Sequence, residues 1–220
     1  MKAANTGQGL SQPLLFFLKG LCLLLVVLLL AGAASFPFLY PSTSLWYRFD
    51  TQKTILRTGK IFGLLAATLF FLQPLLSLRP KFLERIFPAK LLYDSHRKSG
   101  LLLCCLALLH PLIIFWLEDI KNFPVQMRYW PEMVGGFLLV LLWLVYSTAR
   151  WRTFLLLSFA RWRHLHLGAT SLAAVLIGVH VYNVSDTFQK FDTPRRALFA
   201  ALGLYAMQWI GKRIRNLKKP

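Results

Sequence analysis

The chain has 220 residues, 56% of them hydrophobic, with 26 Lys+Arg against 8 Asp+Glu and a formal net charge of +18. Its mean hydropathy of +0.53 comes from long apolar blocks, more than a single soluble core can hide, which excludes an ordinary water-soluble domain. The basic residues sit in short clusters between those blocks, so the charge marks membrane topology and not a nucleic-acid surface.

A hydrocarbon core about 30 Å thick needs about 20 apolar residues of helix. Six segments meet or approach that length, at about 14–36, 61–78, 99–117, 133–149, 164–184 and 196–211. All are read as helices, because an isolated strand leaves its backbone groups unpaired in lipid. The first run has a second reading as a signal peptide, since Leu21 to Leu30 is followed by the small residues Ala31, Gly32, Ala33, Ala34 and Ser35. It continues to Tyr40, longer than a usual signal core, and this favours a retained span. Cys22, Cys104 and Cys105 lie in apolar runs without metal-ligand spacing and are expected to pack or face lipid. No internal repeat, nucleotide loop or nucleophile motif is evident.

Counting Lys and Arg by side sets the orientation. With the amino terminus, the second and fourth loops and the carboxyl tail together, one side holds 17 and the other 9, and the poorer side carries six of the eight acids. Residues 1–13 and the basic tail 212–220 are then cytoplasmic, flanking a membrane domain at 14–211. Arg48, Lys53, Arg57 and Lys60 make the first outer loop more basic than the rule prefers. In this arrangement the third and fifth helices both run from cytoplasm to exterior, so their histidines can be compared by depth.

The third helix carries His96 and His110, and the fifth carries His164, His166 and His180. Both 96 to 110 and 166 to 180 are intervals of 14 residues, about 40° short of four turns and about 21 Å along the axis. The members of each pair therefore look the same way. His164 lies 16 residues from His180, on nearly the opposite face, and is excluded. Two parallel helices with matched inner and outer histidines can clamp two stacked flat macrocycles, His96 with His166 and His110 with His180. Imidazole on both faces gives a six-coordinate haem iron suited to electron transfer. Gly100, Gly168 and Gly178 could let a porphyrin edge approach, or serve helix packing. The competing readings are hydrogen-bonded packing histidines, a proton relay in a haem-free transporter, an assembly subunit stabilised by its haems, or zinc. Zinc would gather its ligands within a few ångströms, unlike pairs so far apart.

His96-Arg97 with Gly100 after it, His110-Pro111, and Trp162 leading into Leu165-His166 and then His180 carry a resemblance to a known family. The sequence resembles the ferric reductase-like transmembrane domain, the six-helix core of ferric reductases, NADPH oxidases and the haem subunit of the periplasmic methionine sulfoxide reductase system. A weaker likeness is LRTGKIFGLLAATLFFLQPLLSLR in the second helix, and the whole covers about residues 56 to 184. In the methionine sulfoxide reductase partner the position of His96 is usually not histidine, so the resemblance implies the branch with two complete haem sites. Its oxidases and ferric reductases usually continue into an FAD and NAD(P)H domain. Here about nine residues follow the sixth span and there is no GxGxxG fingerprint.

The expectation is an all-α integral membrane bundle of six helices with two bis-histidine b haems between helices 3 and 5, in a bacterial inner membrane. Electrons would come from a flavoprotein reductase bringing FAD or FMN, or from quinol. They would leave to an external acceptor such as ferric iron, dioxygen or a periplasmic protein. Arg97 could pair with a haem propionate or anchor the helix end. Arg161, Arg163 and His164, at the inner mouth of the fifth helix, have the same two readings. The basic inner face, including Lys212 to Lys219, could dock an acidic flavoprotein or, more simply, attract anionic lipid. Trp116, Glu118, Asp119, Arg128, Trp130, Tyr182, Asn183 and Asp186 border the outer level, where belt residues are the simpler reading.

Overall fold

The computed structural model describes residues 11–41, 50–117 and 127–217. Arg48, Glu118 and Asp119 lie outside the described residues, as do the side chains of Arg128 and of the tail from Lys212 on. The described elements are all helical: α1 (Gln12–Leu39), α2 (Asp50–Leu78), α3 (Lys81–Ile86), α4 (Ala89–Leu117), a 3-10 turn at Met127–Tyr129, α5 (Trp130–Arg150), α6 (Phe159–Val184), α7 (Asp186–Lys190) and α8 (Asp192–Leu217). The long helices outrun the predicted spans, most of all at the start of α2 and α4. Apolar runs measure only the hydrocarbon core, and the helix continues through charged turns at headgroup depth.

Five helices, α1, α2, α4, α5 and α6, are long and apolar enough to cross a membrane among the described residues. The sixth expected span falls on α8, which does not reach that standard. Its apolar stretch is confined between Arg195-Arg196 and Lys212-Arg213, about 22 Å of helix at 1.5 Å per residue, short of the bilayer core.

α2 lies along α4 and α5 along α6, while α1 covers α2, and α8 contacts both α2 and α6. The helices alternate in direction. Gly63, early in α2, meets His110, late in α4, whereas Gln73, late in α2, meets Ser99, early in α4. By contrast, α4 and α6 share no extended contact, so the two histidine-bearing helices face one another across the bundle.

What joins the two hairpins is a close-packed middle layer. Phe70 of α2, Leu103 and Cys104 of α4, Leu142 of α5 and Ala173 and Ala174 of α6 are all buried in one cluster. Water does not drive helices together within lipid, so this layer depends on van der Waals fit, and small residues let the backbones approach. Ala173 is 0% exposed. The Cys104 thiol lies 3.8 Å from the Leu142 carbonyl, using its weak donor within the core. Tyr205 of α8 stacks on Phe70 at 5.9 Å, and Leu202 fits against Gly178 of α6, which fixes α8 to the outside of the bundle.

Candidate functional site

The middle layer falls midway between the histidines on each helix. Leu103 is seven residues from both His96 and His110, and Ala173 seven from both His166 and His180. The bundle therefore has an apolar layer with a histidine level on either side, named outer (His110, His180) and inner (His96, His166) after the orientation expected from the charges.

At the outer level His110 and His180 face each other with ring centroids 6.2 Å apart and planes at 81°. Each ring is held from behind by its own hairpin partner. His110 Nδ1 is 2.8 Å from the Gly59 carbonyl, and His180 Nδ1 is 2.8 Å from the Pro131 carbonyl. A carbonyl oxygen only accepts, so both Nδ1 atoms carry the proton and both Nε2 atoms keep a lone pair. Beside each ring is a glycine. A Cβ on Gly63 would lie 2.9 Å from His110 Nδ1, and one on Gly135 would lie 2.5 Å from His180 Cε1. Only glycine leaves room for imidazole there.

The two halves repeat one device. In each, a carbonyl at one position and a glycine four residues on, one helical turn later, receive the histidine of the next long helix: Gly59 and Gly63 for His110, Pro131 and Gly135 for His180. The offset from His96 to His166 equals that from His110 to His180. Leu103 and Cys104 correspond at the same offset to Ala173 and Ala174, all buried. This geometric repeat escapes a residue-by-residue reading because the matched positions share packing roles and few identities.

At the inner level the histidines have different neighbours. The Gln73 side chain reaches from α2 to His96 and Ser99 of α4. His166 lies against Trp162, one turn earlier on α6, with centroids 5.1 Å apart. Trp162 in turn meets Phe159 at 5.6 Å. His96, His110, His166 and His180 are partly buried, and His164 is exposed.

Arg97 is exposed, and its guanidinium lies over the Tyr93 ring at 5.8 Å. Of the three glycines singled out in the sequence, Gly168 has open space beside it and Gly178 serves packing against Leu202, while a Cβ on Gly100 would lie 4.0 Å from Gln73 Nε2, an ordinary contact. The glycines that touch histidines are Gly63 and Gly135, which sequence reasoning missed. Their similar placement, 47 residues before His110 and 45 before His180, was the available signal. Among the outer candidates, Asp186 pairs with Lys190 at 3.1 Å, Asn183 donates to the Val179 carbonyl, and Trp116 is exposed. Among the described residues no three His, Cys, Asp or Glu side chains gather as a metal cluster would.

Fold and sequence together define a helical membrane protein in which His110 and His180 face one another between two helical hairpins. The sequence profile of the ferric reductase like transmembrane component matches residues 62–178, more than half of the chain. The chain belongs to that family. No curated protein and no solved structure matches it.

Proposed function

We propose that the chain is a transmembrane electron-transfer cytochrome b subunit, with one b haem held by His110 and His180 and a second by His96 and His166. Membership of the ferric reductase-like family supports a transmembrane electron-transfer role, and the outer pair carries the cofactor reading. Two imidazoles bonded to opposite sides of one metal, with bonds on the order of 2 Å, have ring centroids about 6 Å apart. The separation here is 6.2 Å. Both rings also give Nδ1–H to a carbonyl, the partner that ligating histidines commonly have. A pair supplies two protein donors, which suits a macrocycle that brings its own four.

Haem held by these histidines would supply one-electron chemistry. The protein's residues hold it: the carbonyls of Gly59 and Pro131 set the tautomers, and the glycines give the rings room. The middle layer keeps the two levels apart, and α8 serves as a sixth crossing although its apolar stretch is short, a mismatch that local thinning of the bilayer accommodates. Electrons enter at the inner level from a flavoprotein carrying FAD or FMN, or from quinol. They leave at the outer level to ferric iron, dioxygen or a periplasmic protein. Both termini are on the cytoplasmic side of a bacterial plasma membrane, and the basic inner face contacts anionic lipid.

The test is haem content and the dithionite-reduced spectrum of protein purified from haem-replete cells. A b-type α band is expected. His110→Ala and His180→Ala should each remove about half of the haem, and His164→Ala none. A wild-type spectrum without an α band, or haem loss with His164→Ala equal to that with His110→Ala, refutes the assignment.

A further inference from the structure

This inference rests on the bis-histidine reading, and it concerns what orients the inner ligand. His110 and His180 are held by main-chain carbonyls, which side-chain substitution does not remove. His96 is held by a side chain. One terminal atom of the Gln73 amide lies 2.5 Å from His96 Nδ1, and the other lies 2.9 Å from Ser99 Oγ.

Those two positions can be filled in two ways. In the first, Gln73 Nε2 donates to His96 Nδ1 while Oε1 accepts from Ser99 Oγ and from the Gly100 backbone N–H. The neutral ring then carries its proton on Nε2 and has no lone pair there for a metal. In the second, His96 donates Nδ1–H to Gln73 Oε1, and Gln73 Nε2 donates to Ser99 Oγ. Ser99 favours the second. Its hydroxyl has one proton, and at 2.6 Å the Ser95 carbonyl is its nearest acceptor, which leaves a lone pair to receive the amide NH2. Oε1 then comes within 3.2 Å of the His96 carbonyl and Nε2 within 3.1 Å of the Gly100 backbone nitrogen. The shorter bond from Nδ1–H offsets the first approach, and the Gly100 N–H, inside α4, already has the His96 carbonyl four residues back as its helical acceptor. The second arrangement also gives His96 the same tautomer as the outer pair.

We propose that Gln73 is the positioning residue of the inner site: its oxygen, aimed by Ser99, holds His96 in the Nδ1–H tautomer and leaves Nε2 free for haem iron. The acceptor is a side chain, so the basicity of this ligand can be altered without touching the backbone.

The experiment uses the full-length protein from haem-replete cells, with haem per chain and a redox titration of the b-type absorbance. Wild type should hold two haems and titrate in two steps. Gln73→Leu should weaken one haem about 10- to 100-fold, the usual cost of losing such a partner, with the other step unchanged as proof of folding. Gln73→Glu presents only acceptors; it should keep both haems and move one step to lower potential, because a stronger acceptor makes the imidazole a better donor. If Gln73→Leu does not accumulate, Gln73→Glu decides alone. Two unshifted steps in both variants would overturn the proposal. So would loss of one haem in Gln73→Glu with the other step unchanged, the outcome expected where the amide nitrogen faces His96. A wild-type protein without haem would instead refute the bis-histidine reading itself.

Discussion

Gly135 and Gly136 are adjacent on α5, yet a methyl group on one would run into His180 while the other has nothing within 4 Å. His180 cannot swing aside without losing the Pro131 carbonyl. Gly135→Ala is therefore expected to cost about 1–3 kcal/mol, as overpacking does, and to release the outer haem. Gly136→Ala should leave both stability and haem unchanged, or raise stability slightly through helix propensity. Thermal unfolding with haem per chain reads both effects. At this scale the sequence made the facing of His110 and His180 legible, because helical phase is arithmetic on residue numbers. It left Gly63, Gly135 and the carbonyls of Gly59 and Pro131 unread. A main-chain acceptor has no residue type to betray it, and contact between helices is not written along either one.

Among elements, α4 fixes the vertical spacing of the site, with His96 and His110 set either side of Leu103 and Cys104. One alanine inserted after Leu103 would turn everything beyond it by about 100°. His110 would leave the Gly59 carbonyl and Gly63. His96, ahead of the insertion, would keep its contacts with Gln73. The expected outcome is one haem lost and one retained, read as a single remaining redox step. Losing both or neither would mean that the levels are not independent. The five membrane-length helices were legible because apolar run length reports directly on bilayer thickness. The short helices α3 and α7 were not, since five or six residues carry too little periodicity to stand out. For α8 the composition was ambiguous, and the structure resolves it as a helix whose apolar stretch is short for a span.

For the whole molecule, the charge distribution predicts a direction. The turn between α5 and α6 exposes Phe154, while Gln189 is exposed on α7 at the opposite end. With Cys22, Cys104 and Cys105 first replaced by Ser or Ala, a cysteine at Phe154 should react with a membrane-impermeant maleimide only in inside-out vesicles. One at Gln189 should react in right-side-out membranes. The reverse pattern would invert the inner and outer levels assigned here while leaving the pairing of histidines intact.

The apolar layer around Ala173 and Cys104 has an electrical consequence. Buried apolar side chains are a poor path for water and protons, but electrons can tunnel through such a barrier. Charge crossing it would move alone, without a compensating proton beside it. Moving one charge through a full membrane potential of 100 mV involves about 2.3 kcal/mol, so the layer makes the proposed electron transfer electrogenic, coupling it to the energised state of the membrane.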